Sequence, residues 1–184
     1  MGKRSRTAGF ALALVIVGAV GASAQTPYFA VYFDPAFTVQ EKNCPGTGPD
    51  MLYVAGVGFN TMVTGAEFAI SYPPAIMWVA DANTPLATIG TTPTGIAMGY
   101  SPPRNGLWPV ELCRVQIQWL CDSCGAPYLD NEILVRSSPR TGFLGWTDSS
   151  FIEHPAWGLI SLICPSGVAA EQTTWGRVKA IFGE

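Results

Sequence analysis

The densest chemical signal in this chain is sulfur: Cys121-Asp122-Ser123-Cys124, with Cys44, Cys113 and Cys164 elsewhere. A C-x-x-C pair can serve as a redox dithiol, whose thiolate is made acidic by a helix N-terminus. It is also half of a tetrahedral zinc site, which Cys164 and His154 would complete. Here the pair follows a strand-like run and precedes Gly125-Ala126-Pro127, so no helix begins there to acidify a thiol. Only one ligand-spacing unit is present, and zinc would compete with oxidation of the same thiols. Structural disulfides are the expected use, with no metal and no cofactor.

His154 is the sole histidine, so a Ser-His-Asp hydrolase would have to use it, with Asp148, Ser149 and Ser150 close in sequence. No Gly-x-Ser-x-Gly elbow accompanies it, and His154-Pro155 reads as a loop between strands. Glu67, Glu111 and Glu132 are the carboxylates a glycosidase pair would draw on, yet each falls at a position that solvent could equally face. Asp130-Asn131-Glu132 lacks the spacing of a calcium loop. Among the tryptophans, Trp78, Trp119 and Trp157 have apolar neighbours and are expected in the core. Trp108 and Trp146 neighbour glycine and loop residues and are the candidate binding aromatics, an exposed platform for a sugar ring or a protein partner.

Before any of these can act, the chain has to reach its compartment. Lys3, Arg4 and Arg6 precede an apolar run from Ala8 to Val20 that ends in Ala22-Ser23-Ala24. The run has the length of a signal-peptide core and falls short of the roughly 20 residues that span a bilayer. Residues 1–24 are therefore expected to be a signal peptide cut before Gln25, and the mature chain to be secreted, periplasmic or on the cell surface. No later apolar run reaches spanning length. The excised segment carries three of the ten basic residues and none of the thirteen acidic ones, so the net charge moves from −3 to −6. Phosphate binding needs clustered Lys and Arg, and the mature chain keeps only Lys42 and Lys179 as lysines, so no nucleic-acid partner is expected.

The elements that would position these residues read as strands. Charge is sparse, while Gly, Pro, Thr and aromatic residues are plentiful, a mixture of β-propensity and turn chemistry. Tyr28 to Phe33 is aromatic and β-branched throughout, as for a strand covered on both faces or one that opens a sandwich. Met51 to Phe59 and Thr64 to Tyr72 look like a connected strand pair. Ile76 to Val79 and Gly95 to Tyr100 follow. Val110 to Leu120 alternates most clearly, with Glu111, Cys113, Val115, Ile117 and Trp119 on the face expected inside. Glu132 to Arg136, Phe143 to Trp146 and Gly158 to Cys164 bring the number to about eight or nine. With no amphipathic helix between them, the pattern predicts an all-β antiparallel sandwich over residues 25–168.

Residues 169–184 are expected to form a tail in which Thr174 can cap a short amphipathic helix. Trp175, Val178, Ile181 and Phe182 fall on one face of it, a docking surface for its own domain or for another protein. In an oxidising compartment the five cysteines are expected to pair where geometry allows, one thiol being left over. The expected pattern is Cys44 with Cys113, pinning an early loop to the central strand, and Cys164 with Cys121 or Cys124.

Gly65-Ala66-Glu67-Phe68-Ala69-Ile70-Ser71-Tyr72-Pro73-Pro74 and Gly106-Leu107-Trp108-Pro109-Val110-Glu111-Leu112-Cys113-Arg114-Val115-Gln116-Ile117 resemble strands of secreted cohesin-type and related immunoglobulin-like modules. The resemblance spans roughly residues 50–120, and Pro73 stands where that family usually has Asp. It implies a nine-stranded jelly-roll-like sandwich used for noncovalent binding. The functional expectation is a secreted, non-enzymatic module that recognises a protein or carbohydrate partner through loop aromatics or a sheet face. The alternative is an exported hydrolase on the same scaffold, using His154 or a carboxylate pair.

Overall fold

A computed structural model describes residues 26–82, 84–85, 87–121 and 131–164. Among them are thirteen strands: β1 (Tyr28–Tyr32), β2 (Glu41–Lys42), β3 (Gly48–Val57), β4 (Met62–Ser71), β5 (Ile76–Ala82), β6 (Ala87–Thr91), β7 (Gly95–Asn105), β8 (Val110–Trp119), β9 (Glu132–Arg136), β10 (Gly145–Asp148), β11 (Glu153–Pro155), β12 (Trp157–Gly158) and β13 (Ile160–Ile163). One sheet runs β12-β1-β3-β8-β5. The other runs β11-β10-β4-β9-β13-β2, with β7 added to β4 and β6 to β7. The expected all-β sandwich is the fold. Trp175, Val178, Ile181 and Phe182 of the expected tail helix lie outside the described residues.

The two sheets exist because each strand has one face that water cannot stabilise. Phe29 and Val31 of β1, Leu52 and Val54 of β3, and Val115, Ile117 and Trp119 of β8 face Phe68 and Ile70 of β4, Ile96 of β7 and Ile133 of β9 in one buried layer. Burying such side chains is worth roughly 1.5–3 kcal/mol each before conformational entropy is counted. β1 is covered on its second face as well. Ala30 and Tyr32 pack with Ala55 under Phe37, whose ring meets Tyr32 edge-on at 5.6 Å. The loop carrying Phe37 is held by Asp34, whose carboxylate accepts the N–H groups of Ala36, Thr38 and Val39.

Three expectations about the strands change. β3 and β4 are not paired with each other: β3 lies between β1 and β8, and β4 belongs to the facing sheet. Residues 58–61 carry the chain across the core, with Gly58 and Asn60 both at positive φ. Crossing lets the apolar faces of both strands meet, which side-by-side pairing would not. On β8, Leu112 and Val110 are buried together with Cys113, because the register slips between Val54 and Ala55 and leaves Leu112 as an extra residue. Trp157 is exposed. Its neighbour Gly158 takes the inward place, where a Cβ would lie 1.7 Å from the Val135 carbonyl oxygen.

The sulfur pairing also differs. Cys44 is bonded to Cys121, and Cys113 is the free cysteine among the described residues. The β3–β8 register explains this. Gly48 lies opposite Trp119, so the loop before β3 meets the end of β8, whereas Cys113 lies opposite Val54, six residues and roughly 20 Å farther along at about 3.3 Å per residue. Cys113 is also wholly buried, and that burial, with the charges of Asp81 and Glu111, pushes its thiol well up. The Cys164 Sγ accepts the Cys44 backbone N–H at 3.4 Å, at the same end of the sandwich. Cys121 is thereby removed as a partner for Cys164, and Cys124 lies outside the described residues.

Beside the bridge, Lys42 reaches Asp50 at 2.6 Å, and the Trp119 indole donates to the same carboxylate at 2.9 Å. Burial pushes the Asp50 carboxyl up, but the Lys42 and Trp119 hydrogen bonds outweigh it and leave the group below its ordinary value. Digestion without reductant is expected to yield a peptide joining Cys44 to Cys121, with Cys113 alkylated only after unfolding. Cys44→Ala is expected to cost about 2–4 kcal/mol in urea unfolding, because the bridge closes a span of 77 residues.

Candidate functional site

Three connections meet at the end of the sandwich opposite the disulfide: residues 58–61 between β3 and β4, 106–109 between β7 and β8, and 149–152 between β10 and β11. The strand registers bring them together. Met62 lies opposite Asn105, and Val63 opposite both Arg104 and Asp148. Gly106 donates its N–H to the Thr61 carbonyl at 3.1 Å, and Leu107 its N–H to Asn105 Oδ1 at 3.0 Å. The Thr64 hydroxyl donates to the Asp148 carbonyl at 2.6 Å. On this end Leu107, Trp108 and Phe151 are 70%, 74% and 80% exposed, and Met62 and Ile152 are exposed with them.

The 149–152 turn is shaped by Asp148. Its carboxylate accepts the N–H groups of Ser150 and Ile152 at 2.7 and 3.0 Å, and takes His154 Nε2 at 2.9 Å. The His154 hydrogen bond first, then the two backbone bonds, hold the Asp148 carboxyl below the usual carboxylate range. Phe151 sits at a φ of 60°, and the turn thrusts its ring into solvent. His154 stacks on Trp146 at 4.5 Å, and Trp146 meets Phe59 edge-on at 4.9 Å.

Trp146, expected on an exposed platform, is instead a core residue, 4% exposed. Its neighbour Gly145 misleads, because that glycine permits close packing: a Cβ there would lie 2.2 Å from the His154 carbonyl oxygen and 2.3 Å from the Phe143 ring. Trp108, the other candidate aromatic, does stand in solvent. Sequence reasoning missed Leu107, Phe151, Ile152 and Met62, because only the folded registers bring the three segments to one end.

The hydrolase candidates do not assemble. Asp148 and His154 have the base and orienting-acid geometry, but His154 makes no hydrogen bond with a serine hydroxyl among the described residues, and its ring face is against Trp146. Ser150 meets Asp148 through its backbone N–H. Glu111 is held by Arg114 Nε and Nη2 at 3.0 and 3.1 Å on one sheet, while Glu67 is on the other. His154 and Cys164 lie at opposite ends of the sandwich, which separates the sequence-derived zinc set.

Beside the exposed end, β7 bulges. Gly99 pairs with Gly65 and Arg104 with Val63, so Tyr100, Ser101, Pro102 and Pro103 oppose Thr64 alone. The bulge opens a recess of about 860 Å³, the size of a small-ligand site, walled by Pro85, Pro102, Pro103 and Phe151. Arg104 lines it too. Its guanidinium lies 4.6 Å from the Tyr100 ring centre and donates to the Glu111 carbonyl.

The chain is similar in fold to a non-cellulosomal cohesin from the hyperthermophilic archaeon Archaeoglobus fulgidus, at 10% identity over 83% of this chain and 98% of that one, with a TM-score of 0.48. It is similar to a chain of the CaDoc0917–CaCohA2 complex, at 13% identity over 75% and 98%, with a TM-score of 0.49. It is also similar to the cohesin module of a Clostridium perfringens family 33 glycoside hydrolase, at 10% identity over 75% and 96%, with a TM-score of 0.47. Cohesin modules are the group that segments 65–74 and 106–117 resemble, and the likeness is one of fold at low identity. No family model and no curated protein sequence matches the chain.

The Asp148 turn has a pH signature. A carboxylate with a lowered folded-state pKa adds stability above its unfolded value near 4, and that stability is lost as pH falls through the folded value. Asp148→Asn is expected to destabilise the domain at pH 7 and to converge on the native protein below about pH 4, as read by urea midpoints at pH 7, 5 and 3. Trp146→Ala is expected to cost about 3–5 kcal/mol in the same measurement at pH 7.

Proposed function

We propose that this chain is an exported, non-enzymatic protein-recognition module that binds through the loop end bearing Met62, Leu107, Trp108, Phe151 and Ile152. The observation that carries the reading is the exposure of these apolar side chains on turns fixed by hydrogen bonds. Leaving them in water forfeits the stabilisation that burial gives, and a partner surface restores it. The turns are ordered before binding, so little conformational entropy is lost on association. The aliphatic residues at this end favour a protein over a glycan, because a sugar platform needs flat aromatic faces and here Met62, Leu107 and Ile152 are exposed along with Trp108 and Phe151.

Export is supported by the basic, apolar and small-residue sequence of residues 1–24 and by the Cys44–Cys121 bridge. N-terminal sequencing of the protein recovered outside the cytoplasm is expected to begin at Gln25.

For the binding reading, the immobilised mature protein is presented with exported proteins of the producing cells, beside a Trp108→Ser/Phe151→Ser variant of unchanged urea midpoint. A specific partner whose retention falls at least tenfold on the variant supports the assignment, since central aromatic anchors commonly carry 2 kcal/mol or more. Equal retention would overturn it. Hydrolysis of ester or glycoside panels that vanishes in His154→Ala would instead establish the enzymatic alternative.

A further inference from the structure

The recess and the apolar end share a wall. Phe151 belongs to both, and Arg104 is one residue from Asn105, whose side chain holds the Leu107 turn. A partner that covers Leu107, Trp108 and Phe151 and extends past Phe151 into the recess therefore also takes water away from Arg104. That guanidinium has no intramolecular counter-charge among the described residues. The carboxylates of the neighbouring segments are already committed, Glu111 to Arg114 and Asp148 to His154 and two backbone N–H groups. What Arg104 receives from Glu111 is only a carbonyl oxygen.

Covering an unpaired guanidinium is costly, whereas pairing it across an interface with a carboxylate is among the more favourable charged contacts. The cation is also pre-set. The Tyr100 ring lies against it, one N–H is spent on the Glu111 carbonyl, and the remaining donors of the planar fork are unclaimed by the described residues. A fork held in this way suits bidentate capture of a carboxylate.

We infer, on the strength of the protein-recognition reading above, that the partner is a polypeptide presenting an Asp or Glu side chain to Arg104 within the proline-walled recess, next to an apolar anchor that covers Phe151 and Trp108. The recess confers specificity, since a partner with the apolar anchor alone would strand the charge.

The test is selection of a displayed library of random twelve-residue peptides on the mature, disulfide-bonded protein. Enriched peptides are expected to share an acidic residue beside an aromatic or branched aliphatic one. Replacing that acid by its amide in a synthetic peptide is expected to weaken binding at least tenfold to the native protein, so no folding defect enters. Arg104→Gln should cause a similar loss, and rising salt should weaken the native complex but not the amide peptide. Enriched peptides that need Trp108 and Phe151 yet ignore both the amide exchange and Arg104→Gln would overturn this inference while leaving the recognition reading intact. Failure to enrich any peptide that depends on Trp108 or Phe151 would overturn both.

Discussion

A continuous run of aromatic contacts ties the sandwich together and reaches from its centre to its exposed end. Phe29 of the first sheet meets Phe68 of the second at 5.6 Å and Phe59 at 5.9 Å, Phe59 meets Trp146, and Trp146 stacks on His154. Edge-on and stacked rings have preferred orientations beyond simple area burial, so the column fixes the spacing of the two sheets and their relative position. Its last member hands that order to Asp148, and Asp148 folds the turn that displays Phe151. Core packing and surface presentation are thus one mechanical unit.

The polar groups follow the same economy. Asp81 accepts the indole N–H of Trp78 and both the backbone and hydroxyl groups of buried Thr92, while Thr92 meets the Tyr72 hydroxyl at 2.7 Å. Burial pushes the Tyr72 hydroxyl well up, so it stays a neutral hydrogen-bonding group. One carboxylate thereby joins the edge strand β5 to the β6–β7 turn. A buried threonine that lost these partners would weaken the region by more than the bonds are individually worth.

Much of the fold was readable in the residue pattern, because a half-buried strand writes its two faces into alternate positions. Tyr28 to Phe33 was legible as a strand, its cover on both sides being one of two readings the residues allowed, and Glu132 to Arg136 as a strand with the bounds it has in the structure. Partner choice was less legible. β3 and β4 are adjacent in sequence and similarly patterned, but only the positive-φ crossing at Gly58 and Asn60 tells that they face each other, and periodicity is blind to it. The extra residue at Leu112 likewise inverts the face assignment for the start of β8. For the candidate site, Trp108 could be picked out by its turn context, whereas the same cue failed for Trp146 because glycine marks tight packing as well as loops. Leu107, Phe151 and Arg104 are unremarkable in sequence. Their significance lies in registers that join residues more than forty positions apart.

Cys113, the free cysteine among the described residues, bears on how the protein matures. In the finished sandwich Cys113 is shut away between the sheets and its thiolate is suppressed, so it cannot attack the Cys44–Cys121 bond. While the sheets are still apart, it is chemically equal to its neighbours and eight residues from Cys121, a short enough loop to form a wrong crosslink. Native oxidation is therefore safest when β3 zips against β8 before the sulfurs react, and an early oxidant would trap chains that reductant or an isomerase must rescue.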